Sequence, residues 1–411
     1  MGGVIVALAL LASFGLDLSN IAHSGSVDLR NHITGVRLLE HGIDPYHYQW
    51  HAGEPSEYID LRYNQNLPVT KTTVTPALLL VHLPFAPLPY RATQYLWLVT
   101  QWLMLLATAG LWLRACATSF QRWLVLLVIT GFSYTAAWRW EAERGQAYLL
   151  LAFLFTCWQT TTLDPKRTNS FLAGSIAGFL IALRPPFLLL LPFLALHRRG
   201  QLLGAVTGLL LGIGLPMLLN PACWTEYASA MQTFSHLYRN GINPPHATLP
   251  YPPVIEGTST ELLGQLMPFH TGDFSFHGLL RRAGFEPFPE FPPLLAVAAL
   301  FTVWLWWTRK QPASILLAGL AAWFFLADLF LPALRYSYHD IFILNAVLAG
   351  VVVLPRIPWA LGPCLLALVA GWSAYIFSPP GPWWVDVPAL LFTLGALLFL
   401  IPSIAATDNE R

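Results

Sequence analysis

Between Asp28 and His47 the chain gathers Asp28, Arg30, His32, Arg37, Glu40, His41, Asp44 and His47 into twenty positions, whereas only 10% of the whole chain is charged. Carboxylates and imidazoles at this density are the side chains of proton transfer, and guanidinium groups are the side chains that hold phosphate or carboxylate oxygens. An ordinary solvated loop carries the same residue types, since loops serve both solvation and function. Further along, ionisable groups interrupt apolar sequence at Glu143 and Arg144 beside Gly145-Gln146, at Arg184 before Pro185-Pro186, and at Arg335-Tyr336-Ser337-Tyr338-His339-Asp340. An unpaired charge is costly in apolar surroundings, so Arg184 and Arg335 read as anion ligands or as residues snorkelling at helix ends. His339 and Asp340 suit hydrogen bonds to hydroxyls or phosphate, or Asp340 caps the helix that begins at Ile341.

The elements that must position these groups are hydrophobic. The 411 residues are 55% hydrophobic, with 17 Trp and 25 Phe, and the mean hydropathy is +0.55. A soluble core of this size cannot hide that much apolar surface, so the chain is expected to be an all-α polytopic membrane protein. The net charge of +1 and scattered Lys and Arg exclude the basic stripe that nucleic acid needs. Cys116, Cys157, Cys223 and Cys364 are far apart and read as small buried hydrophobes. No His pair has zinc-helix spacing, so no cofactor is expected, although a divalent ion stays an open alternative.

Val4 to Ile21 reads as a retained anchor helix, with Asp17 near its far end where an acid reaches the headgroups. A long loop, 23–75, follows, and its length marks it as functional or disordered. Within it Ile33, Val36, Leu38 and Leu39 have helical spacing and stop at Gly42-Ile43-Asp44-Pro45, which predicts a short amphipathic helix on the membrane surface. Apolar runs then succeed one another to Trp384–Ile404, giving about ten to thirteen crossings in a single membrane domain, 1–411. Pro76–Leu88 is short, and Phe171–Leu196 is broken at Arg184-Pro185-Pro186, a break that should line a buried or wet cavity. The region 220–291 is rich in Pro, His and aromatics, is not expected to form long helices, and is either a lid or a stiff connector.

Basic turns at Arg114 with Arg122, Lys166 with Arg167, Arg198 with Arg199, Arg309 with Lys310, and Arg356 read as cytoplasmic, leaving the loops 23–75 and 220–291 outside. One conflict arises: if Pro76–Leu88 and Arg91–Leu113 both cross, Arg114 and Arg122 fall on the wrong side. No N-x-S/T site occurs, which fits a bacterial plasma membrane. Tyr46, Tyr48, Trp138 and Trp140 suit stacking on a sugar face, but so many Trp favour an interfacial belt.

Three landmarks carry a family resemblance: Val27-Asp28 followed by Leu38-Leu39-Glu40-His41-Gly42-Ile43-Asp44-Pro45-Tyr46; Thr75-Pro76-Ala77-Leu78-Leu79-Leu80 with Ala86-Pro87-Leu88; and Gly145-Gln146 followed by Gly174, Gly178 and Arg184-Pro185-Pro186. In this order of features the chain resembles the GT-C type membrane glycosyltransferases, above all glycosyltransferase family 87, the polyprenol-phosphate-mannose-dependent mannosyltransferases. It departs from them at Arg184, where Lys is frequent, and at Tyr148, where Asn is frequent. The resemblance implies a GT-C-like fold with long extracytoplasmic loops and an enzyme of the inner membrane. Such an enzyme would move a sugar from a polyprenyl-phosphate carrier to a hydroxyl of a glycan or glycolipid. Asp28 then matches the family's catalytic base, and Arg30, His32, Asp44, Tyr46, Glu143, Arg144, Gln146, Arg184, Arg335, His339 and Asp340 are the expected substrate ligands. Its partners are the lipid-linked donor, the acceptor and membrane lipid. A transporter or lipid flippase is the alternative, disfavoured by the lack of an evident internal repeat.

Overall fold

The computed structural model describes residues 2–24, 26–51, 53–58, 68–70, 72–163, 170–239, 275–282, 284, 291–311, 313–331, 335 and 337–353. Expectations for Lys166, Arg167, Arg356, Cys364, the proline-rich stretch from residue 240, and the last two apolar runs lie outside them. Every extended element among the described residues is helical. They are α1 (Gly2–Ser24), α2 (Val27–Glu40), α3 (Pro76–Val81), α4 (Tyr90–Ala115), α5 (Ser119–Phe132), α6 (Ala136–Arg144), α7 (Tyr148–Leu163), α8 (Ser170–Leu183), α9 (Leu190–His197) and α10 (Leu202–Leu219). After them come α11 (Cys223–Arg239), α12 (Phe276–Arg282), α13 (Phe291–Trp307), α14 (Ala313–Leu329) and α15 (Ile341–Val353).

Among the described residues, three segments are long and apolar enough to cross a membrane: Gly2–Ala22, Tyr90–Ala115 and Arg199–Leu219. Their outward rows are hydrocarbon, with Leu11 66% exposed in α1 and Leu218 80% exposed in α10. Such rows need lipid around them, because water would charge ~25 cal/mol for each Å² of apolar surface. Between helices the packing relies on small residues and buried polar side chains. A Cβ on Gly174 would lie 2.0 Å from the Gln201 carbonyl oxygen and one on Gly178 1.9 Å from that of Ala205, so α8 and α10 touch backbone to backbone. Asn345 of α15 donates to the Ala152 carbonyl and Thr156 Oγ1 of α7, both at 2.9 Å.

Pro76–Leu88 does not cross. Pro at the first helical position and Thr75 capping Leu78 start α3, which runs for six residues, about 9 Å, before a 3-10 turn at Leu83–Phe85. The next crossing is α4, whose Tyr90 hydroxyl donates to the Ser26 carbonyl at 2.6 Å. The loop end of the bundle is therefore opposite the Arg114 end, which removes the conflict in the basic-turn pattern. Thr75 Oγ1 donates to the Leu183 carbonyl at 3.1 Å, so the C-terminus of α8 and Arg184 share that loop end. The break after α8 is as expected: Arg184 is extended, and a 3-10 turn over Pro185–Leu189 leads into α9.

Four expectations are corrected. The helix at Ile33–Leu39 exists as α2, but it is enclosed, with every residue from Asp28 to Leu39 buried. Arg37 makes this possible by donating to the Ala86 and Leu88 carbonyls at 2.8 Å each. Asp17 is buried rather than at the headgroups: it pairs with Arg139 and accepts from the indoles of Trp102 at 3.0 Å and Trp138 at 2.8 Å. Trp138 is thus a core residue and not part of an interfacial belt. Finally, α11 is a 17-residue helix inside 220–291. Its apolar face, from Cys223 and Tyr227 to Ala230 and Phe234, packs on Val36, Leu39, Tyr46 and Leu79.

Candidate functional site

Asp28 stands in the first turn of α2, where the helix dipole favours an anion. Its position against α6 depends on Gly145. That residue has φ +65°, and a Cβ there would lie 2.6 Å from the Leu29 Cβ and 3.3 Å from the Ser26 Cβ. Only glycine supplies both the left-handed turn and the close approach. The residues on either side of it then reach Asp28. Arg144 donates from Nε to Oδ2 at 2.5 Å and from Nη2 to Oδ1 at 3.1 Å, and Gln146 Nε2 donates to Oδ2 at 2.6 Å. The carboxylate is 3% exposed against 25% for its arginine, so the acid is enclosed while the arginine is partly exposed.

The backbone of Gln146 is held in turn. Its carbonyl accepts from Trp97 Nε1 at 3.1 Å and Gln101 Nε2 at 2.8 Å, both on α4. Glu141, on the same short polar helix as Arg144, accepts from the Leu149 amide at 2.8 Å and ties α6 to the start of α7. Burial pushes the Glu141 carboxyl up to about 8, and the nearby Asp28 charge adds to this. Glu141 is therefore largely protonated at neutral pH. Burial also raises the half-buried Glu143, against the opposing pull of Arg144.

Around Asp28, Arg30 lies with its guanidinium 4.6 Å from the Tyr90 ring centroid and donates to the Ser56 carbonyl at 3.3 Å. His32, one turn along α2 from Asp28, packs its ring 4.8 Å from that of His82. Burial holds His82 down at about 4, so it is neutral. Asp44 and Tyr46, expected as substrate ligands, are placed in the fold instead. Asp44 accepts from the amides of Tyr46 and His47 and from the His47 ring, closing the turn after α2. Tyr46 is fully buried and donates its hydroxyl to the Val74 carbonyl at 3.0 Å.

A second cluster forms at the same end of the bundle around a residue the sequence reading missed, Asp328. Arg184 donates to its Oδ1 from Nε at 3.0 Å and again from Nη2. Its Oδ2 lies 2.8 Å from His339 Nδ1 and 3.4 Å from Arg335 Nε. A carboxylate only accepts, so His339 Nδ1 carries the proton in this contact. Arg335 also donates to Asp340 at 2.5 Å, which makes Asp340 an ion-pair partner. Tyr148 joins the two clusters: its ring lies 4.5 Å from the Arg184 guanidinium and 4.2 Å from the His339 ring, two residues after Gln146. Two ion-pair clusters, one on Asp28 and one on Asp328, are thus bridged by 144–148, with α6 packed on the Ser337–Asp340 turn. Asp328 could have been found by the test applied to Arg184, because it is a lone charge in the apolar sequence Trp323–Phe330.

A family model described as glycosyltransferase family 87 matches residues 73–248. The match spans Arg144, Gln146, Tyr148 and Arg184, while Asp28, Asp328 and Arg335 lie outside it. No curated protein matches the chain, and no solved structure does. Over those residues the chain resembles glycosyltransferase family 87, a likeness that indicates a glycosyltransferase.

Proposed function

On the premise of this likeness, we propose that the chain is a hexosyltransferase of the bacterial inner membrane. It moves a sugar, mannose by family expectation, from a polyprenyl-phosphate carrier to a hydroxyl of an envelope glycan or glycolipid at the outer face. The family 87 match carries this reading. The two charged clusters at one end of the bundle support it, because the reaction needs a base and a cation site close together.

In the proposed step the acceptor oxygen attacks C1 of the sugar and gives its proton to the Asp28 carboxylate. The C1–O bond to phosphate breaks, and its electron pair leaves on the lipid phosphate. Attack from the face opposite the phosphate inverts the anomeric centre. A positioned carboxylate contributes roughly 10² to 10⁴ in rate. Arg144 and Gln146 hold the Asp28 carboxylate and fix its plane, so the proton has a defined destination. Arg184 and Arg335 oppose the charge that grows on the departing phosphate, and fixed guanidinium groups suit it because their donors need no reorganisation. No resident metal or cofactor enters this scheme.

The test is purified protein in lipid with polyprenyl-phosphate mannose and an envelope lipid extract, followed by mass spectrometry and determination of the anomeric configuration of the product. A new, inverted glycosidic bond is expected. Gradient-dependent flux of the lipid or sugar with no glycosidic product would instead establish the transporter or flippase alternative.

A further inference from the structure

The cation site described above is already occupied by carboxylates. Two guanidinium groups, Arg184 and Arg335, face two acids, Asp328 and Asp340, and the side chain of Asp328 is 1% exposed. Arg184 is 20% exposed and Arg335 only 2%, so a ligand entering the cluster meets Arg184 first. The backbone of Arg184 is fixed as well. It is extended, with φ −154° and ψ 123°, ahead of two prolines, and its guanidinium lies over the Tyr148 ring. Asp328 engages Arg184 with one oxygen and His339 and Arg335 with the other, so it faces every basic group of the cluster.

We infer that Asp328 is a resident counter-anion that competes with the lipid phosphate for Arg184 and Arg335, and thereby sets the rate at which the spent carrier leaves. The inference rests on the proposed phosphate site. Its logic is one of charge. The donor is a phosphodiester with one negative charge, and the product is a monoester approaching two. Two unopposed guanidinium groups would hold the product more tightly than the donor and stall the enzyme after each transfer. A fixed carboxylate repels a ligand in proportion to its charge, so it weakens the product more than the donor. Between turnovers it also pairs Arg184, whose charge it compensates, while Asp340 shares in pairing Arg335.

The experiment measures binding of polyprenyl phosphate, which is the product whichever sugar the donor carries, and of polyprenyl-phosphate mannose. The proteins are full-length wild type, Asp328→Asn, Asp328→Glu and Arg184→Met in nanodiscs. Asp328→Asn is expected to tighten product binding by about tenfold or more and donor binding by less. Steady-state turnover should then fall below the first-turnover rate. Asp328→Glu keeps the charge and should leave product affinity within about threefold of wild type. A structural role alone would loosen binding in both Asp328 variants, and unchanged or weaker product binding in Asp328→Asn overturns the inference. If Asp328→Asn does not insert, Asp340→Asn removes the second opposing charge, with tightening expected and loosening again contradicting it. Equal product binding by Arg184→Met and wild type would show separately that the phosphate site itself is misplaced.

Discussion

Replacing Gly145 by alanine adds one methyl group at the point where α6 turns toward α2. Two costs follow from the geometry. With φ at +65°, a residue bearing a Cβ carries a left-handed penalty of roughly 1–2 kcal/mol. The new Cβ would also lie 2.6 Å from Leu29 Cβ and 3.3 Å from Ser26 Cβ. Neither neighbour is the tip of a flexible side chain, so the backbones must part, an overpacking cost of about 1–3 kcal/mol. Relief comes from moving α6 off the first turn of α2, which carries Arg144 and Gln146 away from Asp28. A misplacement near 1 Å costs up to about 10²-fold in rate. Gly145→Ala should therefore insert, unfold in detergent at a lower temperature than wild type, and lose transfer by at least about tenfold. Wild-type stability together with wild-type transfer would refute the close approach and the argument built on it.

Other perturbations follow from individual contacts. Asp17→Ala leaves Arg139 uncompensated and should destabilise the protein by about 3–5 kcal/mol, with much of the loss recovered in an Asp17→Asn/Arg139→Gln double variant, read by denaturation in detergent. Gly178→Leu drives a side chain into the Ala205 backbone and should separate α8 from α10, measured as a fall in folded yield and in disulfide trapping between cysteines placed on the two helices. Because the Glu141 carboxyl is raised to about 8 in the fold, the folded chain holds a proton that the unfolded chain has released. Its stabilising contribution is complete below the ordinary carboxylate range and is lost as pH rises through about 8. Glu141→Gln should flatten the stability profile over that window, and an unchanged profile would show that Glu141 titrates normally.

Much of this arrangement is visible in the sequence wherever the cause is local. The end of α2 at Gly42-Ile43-Asp44-Pro45, the break at Arg184-Pro185-Pro186 and the glycine face of α8 follow from turn chemistry, proline and side-chain size. The ion pairs are another matter. Arg144 and Asp28 are 116 positions apart, and Arg184 and Asp328 are 144 apart, and no local pattern joins such partners. Asp17 was expected at the headgroups because an acid near a helix end is cheapest there, yet two indoles and Arg139 make burial tolerable. Asp44 and Tyr46 share the polar stretch with Asp28, but a carboxylate beside a turn is spent on that turn and a tyrosine facing α11 is spent on the core. The prolines that argued against long helices in 220–291 begin in earnest at Pro244, beyond α11, so its own amphipathic spacing was masked by its neighbours' composition.

Single-turnover transfer by Asp28→Asn tests the account most directly, with lipid-donor binding measured on the same nanodisc sample. The substitution keeps the shape of the side chain and removes its capacity to take a proton. The expected result is a fall in the transfer rate of about 10² to 10⁴ with donor affinity retained. Transfer within about twofold of wild type would contradict the assignment of Asp28 as the base.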